Sequence, residues 1–217
     1  MPRIARALPV LALCLCLPVA ALAQTFTLTQ PIGPDGLPFT FTLDYQVRDE
    51  VCYTSSLTVT QKDDGRVIQR ITLAPPTQSY DPETLDFVLE DLNFDGYTDM
   101  RLLAVLPSGP NLPFLCWLWD AAQGQYVYDE ALSAIPTPEA DPAAQRIRSF
   151  YRDGADTYVE AAYAYIDGAL TLVSRTTTTY DAPNGLVWTA TEELVNGQLT
   201  LTDRAQKTLE ADEQPSQ

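Results

Sequence analysis

Asp91, Asn93, Asp95 and Asp99 place four oxygen-bearing side chains at positions 1, 3, 5 and 9 of one short loop, with Gly96 at position 6. That spacing wraps a hard cation such as Ca²⁺ in oxygen ligands, and position 7, Tyr97, adds its backbone carbonyl. Gly96 suits the sharp reversal because it has no Cβ to make a left-handed backbone costly. The carboxylates repel one another by roughly 1 kcal/mol per close pair in a water-like medium, and a bound cation removes that cost. A metal-free Asx turn on Asp95-Gly96 is the alternative, but such a turn makes no use of Asp91 and Asp99. The loop is not a full EF-hand: position 12 is Leu102 instead of a bidentate glutamate, and both flanks alternate like strands.

Other chemistry is scarce. The chain of 217 residues has no histidine, which excludes Ser-His-Asp and Cys-His nucleophile sites, imidazole-zinc centres and an imidazole proton shuttle. Paired carboxylates, as in a glycosidase, are the enzymatic option that survives. Glu90, Glu160, Glu192 and Glu193 supply candidates, yet acidic residues are so frequent that solvated strand faces account for them, and a non-enzymatic protein is expected. Trp117, Trp119, Tyr126, Tyr128, Tyr158, Tyr163 and Tyr165 are either core packing or the face of a carbohydrate- or cell-surface-binding module. The loop Leu106 to Pro113 carries three prolines around Ser108-Gly109, and a stiff, small-tipped loop enters a partner's cleft at low ordering cost. Ser108 and Gly109 are therefore the candidate partner-binding residues.

These residues must be positioned by strands. Thr25 to Thr29 and Phe39 to Val47 alternate apolar and polar residues. Val51 to Gln61 and Arg66 to Leu73 flank Asp63-Asp64-Gly65, a hairpin signal of the kind that favours a primed turn. Pro113 to Asp120 reads as a central strand, with a turn at Gln123-Gly124 and a further strand at Tyr126 to Tyr128. Ile135 to Ala144 reads as a surface loop with one helical turn near Pro142. Hairpins follow at Asp167-Gly168 and Asn196-Gly197, and Ile166 to Arg175 superposes on Val195 to Arg204 at an offset of 29 residues, an internal two-stranded repeat. The fold class is all-β: an antiparallel hairpin meander, propeller-like or closed as a sandwich or irregular barrel.

Residues 1–23 have the pattern of a secretory signal peptide: Arg3 and Arg6, an apolar stretch from Ala7 to Ala20, and Ala21-Leu22-Ala23 before Gln24. The apolar run is short for a bilayer span and holds two prolines, and Leu13 and Leu15 stand where a lipidated cysteine needs a small neighbour. A periplasmic or secreted protein with no membrane insertion of the mature chain is expected, comprising one β-domain over 24–203 and a disordered acidic tail over 204–217. Without Arg3 and Arg6 the chain has 11 basic against 29 acidic residues, a net charge of −18 that repels nucleic acid and favours cationic partners. In an oxidising compartment the two remaining cysteines, Cys52 and Cys116, are most simply a disulfide worth about 4 kcal/mol, with two buried free thiols as the alternative.

The stretch Asp91-Leu-Asn-Phe-Asp-Gly-Tyr-Thr-Asp99, the strand ending Trp119-Asp120 with Gly124-Gln-Tyr-Val after it, Arg146 to Gly154 and Tyr163 to Gly168 together resemble a family of exported bacterial calcium-loop β-proteins. That family includes periplasmic immunity proteins that protect against peptidoglycan hydrolases delivered by a type IV secretion system, and these in turn resemble inhibitors of invertebrate-type lysozyme. The resemblance spans about residues 84 to 175. It implies a hairpin-built, calcium-stabilised, propeller-like fold and inhibition of a cationic cell-wall hydrolase by plugging its cleft. The lysozyme inhibitors use a Ser-Gly loop with a nearby tyrosine; Ser108-Gly109 matches the first part, and Leu112 stands where the aromatic is sought.

Overall fold

The computed structural model describes residues 22–209, so most of the predicted leader and the last eight residues lie outside it. Fourteen strands form three antiparallel meander sheets in chain order, and no sheet of the described residues closes into a barrel. The first sheet contains β1 (Ala23–Pro31), β2 (Pro38–Arg48), β3 (Val51–Gln61) and β4 (Val67–Ser79); the second contains β5 (Phe87–Glu90), β6 (Asp99–Leu103), β7 (Phe114–Asp120) and β8 (Gln125–Tyr128). A single helical turn, α1 (Glu130–Ser133), leads to the third sheet: β9 (Pro138–Asp141), β10 (Arg146–Arg152), β11 (Thr157–Ile166), β12 (Ala169–Asp181), β13 (Leu186–Val195) and β14 (Gln198–Thr208).

The second sheet is the middle layer. Along β7, Leu115, Trp117 and Trp119 face a core shared with Phe41, Leu43, Leu57 and Val59 of the first sheet. Phe114, Cys116 and Leu118 face the opposite way, into a second core with Leu132, Ile135 and Ile147. Burial on both faces is why this stretch reads as an unbroken apolar run. Trp119 meets Tyr126 edge-on at 5.1 Å and Phe41 meets Tyr126 at 6.0 Å, so Trp117, Trp119 and Tyr126 are core residues, not a sugar-binding face.

Three hairpins share one construction. Asp49-Glu50, Asp167-Gly168 and Asn196-Gly197 are two-residue turns with positive φ at both positions, matching the strand twist. Five residues after each turn one residue drops out of register as a bulge: Ser55, Val173 and Thr202. The 29-residue repeat is therefore structural, with a third copy in β2–β3 that its sequence does not reveal.

Four expectations need correction. Cys52 and Cys116 are both free and buried. Cys52 faces the first core and Cys116 the second, so the middle sheet separates them and their sulfurs cannot meet. Asp63-Asp64-Gly65 is no primed turn: Gln61 N–H bonds to the Arg66 carbonyl around a four-residue loop in which only Gly65 is left-handed. Ile135 to Ala144 holds strand β9, which pairs with β10, and the helical turn comes earlier, where the Asp129 side chain caps Leu132 N–H at 2.8 Å. Residues 204–208 of the predicted tail continue β14 along β13.

Candidate functional site

The acidic loop is the β5–β6 connection, held between register partners Glu90 and Asp99. Beneath it Arg101 spans the same two strands, with Nε 2.5 Å from Glu90 Oε1 and its guanidinium 4.6 Å above the Phe114 ring. The loop is also tied to the first sheet: Thr98 donates N–H to the Ile32 carbonyl at 2.7 Å and its hydroxyl to the Pro31 carbonyl at 3.1 Å. From the core, the Tyr126 hydroxyl donates to the Thr98 carbonyl at 2.9 Å. Gly33 lies against the Tyr97 ring so closely that a Cβ there would sit 2.8 Å from it.

Within the loop Asp91, Asn93 and Asp95 turn toward one another on the outer side. Asp95 N–H lies 3.2 Å from both Asp91 Oδ1 and Asn93 Oδ1, Gly96 N–H donates to Asp91 Oδ2 at 2.9 Å, and Tyr97 N–H to Asp95 Oδ1 at 2.9 Å. Asn93 Nδ2 donates to Asp95 Oδ2 at 2.9 Å. Asp99 points inward and is fully buried. Its Oδ2 accepts from Leu92 N–H at 2.8 Å and Asn93 N–H at 3.3 Å, and its Oδ1 from Trp119 N–H at 2.8 Å. Burial pushes this carboxyl up to about 7, against the downward pull of those donors. Among the described residues the Tyr165 hydroxyl is buried without a partner, and burial raises it, with the fields of Asp129 and then Asp99 adding to that shift.

The chemistry of the loop fits a hard cation, since positions 1, 3, 5 and 7 each present an oxygen with a lone pair left over: the Asp91 and Asp95 carboxylates, the Asn93 Oδ1 and the Tyr97 carbonyl. Asn93 and Asp95 would exchange their mutual hydrogen bond for ligation. Among the described residues no three Asp, Glu or Cys side chains converge on one point, and the convergent set is two carboxylates and one amide.

Ser108, Gly109 and Pro110 are exposed at the tip of the β6–β7 loop. The loop's base is fastened on both sides. Ala104 N–H bonds to the Pro113 carbonyl at 2.8 Å, Leu112 N–H to Thr137 Oγ1 at 3.0 Å, and Thr137 N–H to the Leu112 carbonyl at 2.7 Å. Asn111 acts as a strand extension on β10: Nδ2 donates to the Arg152 carbonyl at 2.9 Å and Oδ1 accepts Arg152 N–H at 2.8 Å. Leu112 itself packs on the second core. The aromatics beside the tip come instead from the third sheet, where Pro110, Phe150, Tyr151, Arg152 and Tyr158 line a recess of about 180 Å³. Phe150 stacks on Tyr158 at 6.0 Å and Arg152 lies 5.1 Å over the Tyr158 ring. Alternation in Arg146-Ile-Arg-Ser-Phe-Tyr-Arg152 is the sequence signal for this face, because period two puts three arginines and Phe150 on one side.

No protein-family model matches the chain, and no curated protein matches it. Among solved structures it is similar to a Xanthomonas type IV secretion system related protein, with 17% identity, a TM-score of 0.60, and coverage of 82% of this chain and 93% of that one. A Bacteroides fragilis protein of unknown function is aligned at 9% identity with a TM-score of 0.25, too low for a shared fold. Among the described residues no helix is long and apolar enough to cross a membrane. The fold is thus shared with a type IV secretion system related protein.

Proposed function

We propose that this chain is an exported, non-enzymatic β-protein that braces its acidic loop with Ca²⁺ and binds a cationic cell-wall hydrolase through the Ser108-Gly109-Pro110 tip. The observation that carries the reading is the tip itself: exposed, proline-stiffened, and fastened by Asn111 to β10 and by Leu112 to Thr137. A pre-ordered projection loses little entropy on entering a cleft. The net charge of −16 favours encounter with a basic partner, and the likeness to a type IV secretion system related protein supports a setting in which one protein meets another. Asp91, Asn93, Asp95 and the Tyr97 carbonyl would hold the ion, while Asp99, expected from the spacing as a further ligand, would brace the loop from beneath through its backbone donors; the ion would neutralise the outer carboxylates and tighten the junction between the first two sheets.

The test is a pull-down from periplasmic and culture extracts, in calcium and in EGTA, with hydrolase activity assayed before and after binding. Capture of a hydrolase whose activity falls, and its loss with Gly109→Arg, supports the reading; capture unaffected by that substitution, or glycan turnover by the purified protein, overturns it. For the ion, calcium at a hundred times Kd adds about 2.7 kcal/mol, a rise in Tm of roughly 5–10 °C for a chain of this size. Asp95→Ala abolishes that rise, whereas identical melting of the unsubstituted protein in calcium and EGTA contradicts calcium binding.

A further inference from the structure

The outer face of the third sheet carries a groove that the partner-binding reading does not use. Cross-strand register sets two rows side by side: Arg148, Ala162 and Ser174 in one, Phe150, Glu160 and Thr176 in the next. Ile147 and Val159, on the opposite side of the same strands, are buried, so these rows face solvent. Ala162 is small between Arg148 and Ser174 and lowers the floor. The rows, together with Arg146 and with Glu139 opposite Arg148 on β9, line an open cavity of about 420 Å³, within the size range of roughly 300–1,000 Å³ typical of small-ligand sites.

The chemistry of the groove selects its occupant. Phe150 is 55% exposed, and its stacking on Tyr158 at an interplanar angle of 21° fixes the ring as a flat apolar platform. Arg148 is held by Asp141 at 2.6 Å. Arg146 donates to the Gln145 carbonyl at 3.0 Å and has no carboxylate within 4.0 Å among the described residues, which leaves most of its N–H fork open. Glu160 is exposed, and Ser174 and Thr176 add hydroxyls. A polyanion meets Glu160 and Glu139 here, and a cationic peptide meets Arg146 and Arg148. A neutral ring with vicinal hydroxyls can donate to the carboxylate, accept from the guanidinium and lay its C–H face on Phe150. We infer that this groove binds a neutral oligosaccharide, with Phe150 as the stacking platform and Arg146 and Glu160 as the hydroxyl-reading groups.

The inference is tested by titrating the isotope-labelled protein with tetrasaccharides of N-acetylglucosamine, cellotetraose and maltotetraose, with a poly-glutamate peptide and an oligolysine peptide as competitors. The expected result is saturable binding of at least one tetrasaccharide, with amide shifts confined to β9–β12 and the residue that precedes them, Thr137. Phe150→Ala and, separately, Arg146→Ala then weaken it at least tenfold while melting moves little, since Phe150 is exposed and Arg146, half-buried, has no carboxylate partner among the described residues; Glu160→Gln serves as a third, nearly isosteric variant. Absence of saturable binding to every sugar at millimolar concentration, binding unchanged in all three variants, or tighter capture of either peptide overturns it. The Gly109→Arg substitution leaves sugar binding intact, which separates this groove from the partner-binding tip.

Discussion

Asp99 shows what a single buried carboxylate does for the loop above it. Its two oxygens accept three backbone N–H groups from two separate stretches of chain, Leu92-Asn93 and Trp119. Asp99→Asn replaces one acceptor by an NH₂ that faces a donor, leaving a buried N–H unpaired, at a cost of about 1–3 kcal/mol. We expect urea denaturation to detect this loss in EGTA as well as in calcium; a loss seen only in calcium would make Asp99 a ligand with no bracing role of its own. The spacing of loop oxygens is legible in the sequence because ligation by a short loop is local. The direction of Asp99 is not legible, because Trp119 N–H, 20 residues away, helps to set it. The cysteines fail for a related reason. Their number and their apolar strands are visible in the chain, but the face each one occupies depends on which sheet lies between them. Burial raises both thiols, Cys116 up to about 12, so they remain protonated at neutral pH.

Among the elements, strands with clean alternation and the turns Asp167-Gly168 and Asn196-Gly197 are readable, since turn chemistry and period two are properties of a few neighbouring residues, whereas Asp64-Gly65 marks a hairpin but not its loop type. Strand β9 is not readable, because it begins at a proline, runs for four residues and is defined by pairing with β10. The turn Asp49-Glu50 was missed because neither residue is the glycine or asparagine that usually advertises positive φ. The β6–β7 loop makes a sharper prediction. Asn111→Ala leaves the Arg152 N–H and carbonyl without their partner, which costs about 1–2 kcal/mol. Because those bonds fasten the tip, amide exchange over residues 106–113 quickens more than over β7. A uniform change across both segments would show that Asn111 stabilises the sheet without ordering the loop.

For the whole molecule, the layering predicts a gradient of local stability. The middle sheet is covered on both faces, while β14 is exposed along most of its length and pairs on one edge. Amide exchange in β6 and β7 should be at least about a hundredfold slower than in β14, the contrast expected between a core unit and a fraying edge; equal protection would mean the sheets open as one body. The all-β meander was legible as a class, but the division into sheets of four, four and six strands was not, because hairpin signals do not say where one sheet stops. The shared hairpin gives that difference in width a meaning. Each copy, 29 residues from the next, brings its own turn and its own register-fixing bulge, and β14 is the last strand of the third sheet among the described residues. A sheet of this kind can grow by tandem duplication of whole hairpins, each new copy docking on the last without disturbing the layers beneath. The third sheet is two strands wider than its neighbours, the increment that one such duplication supplies.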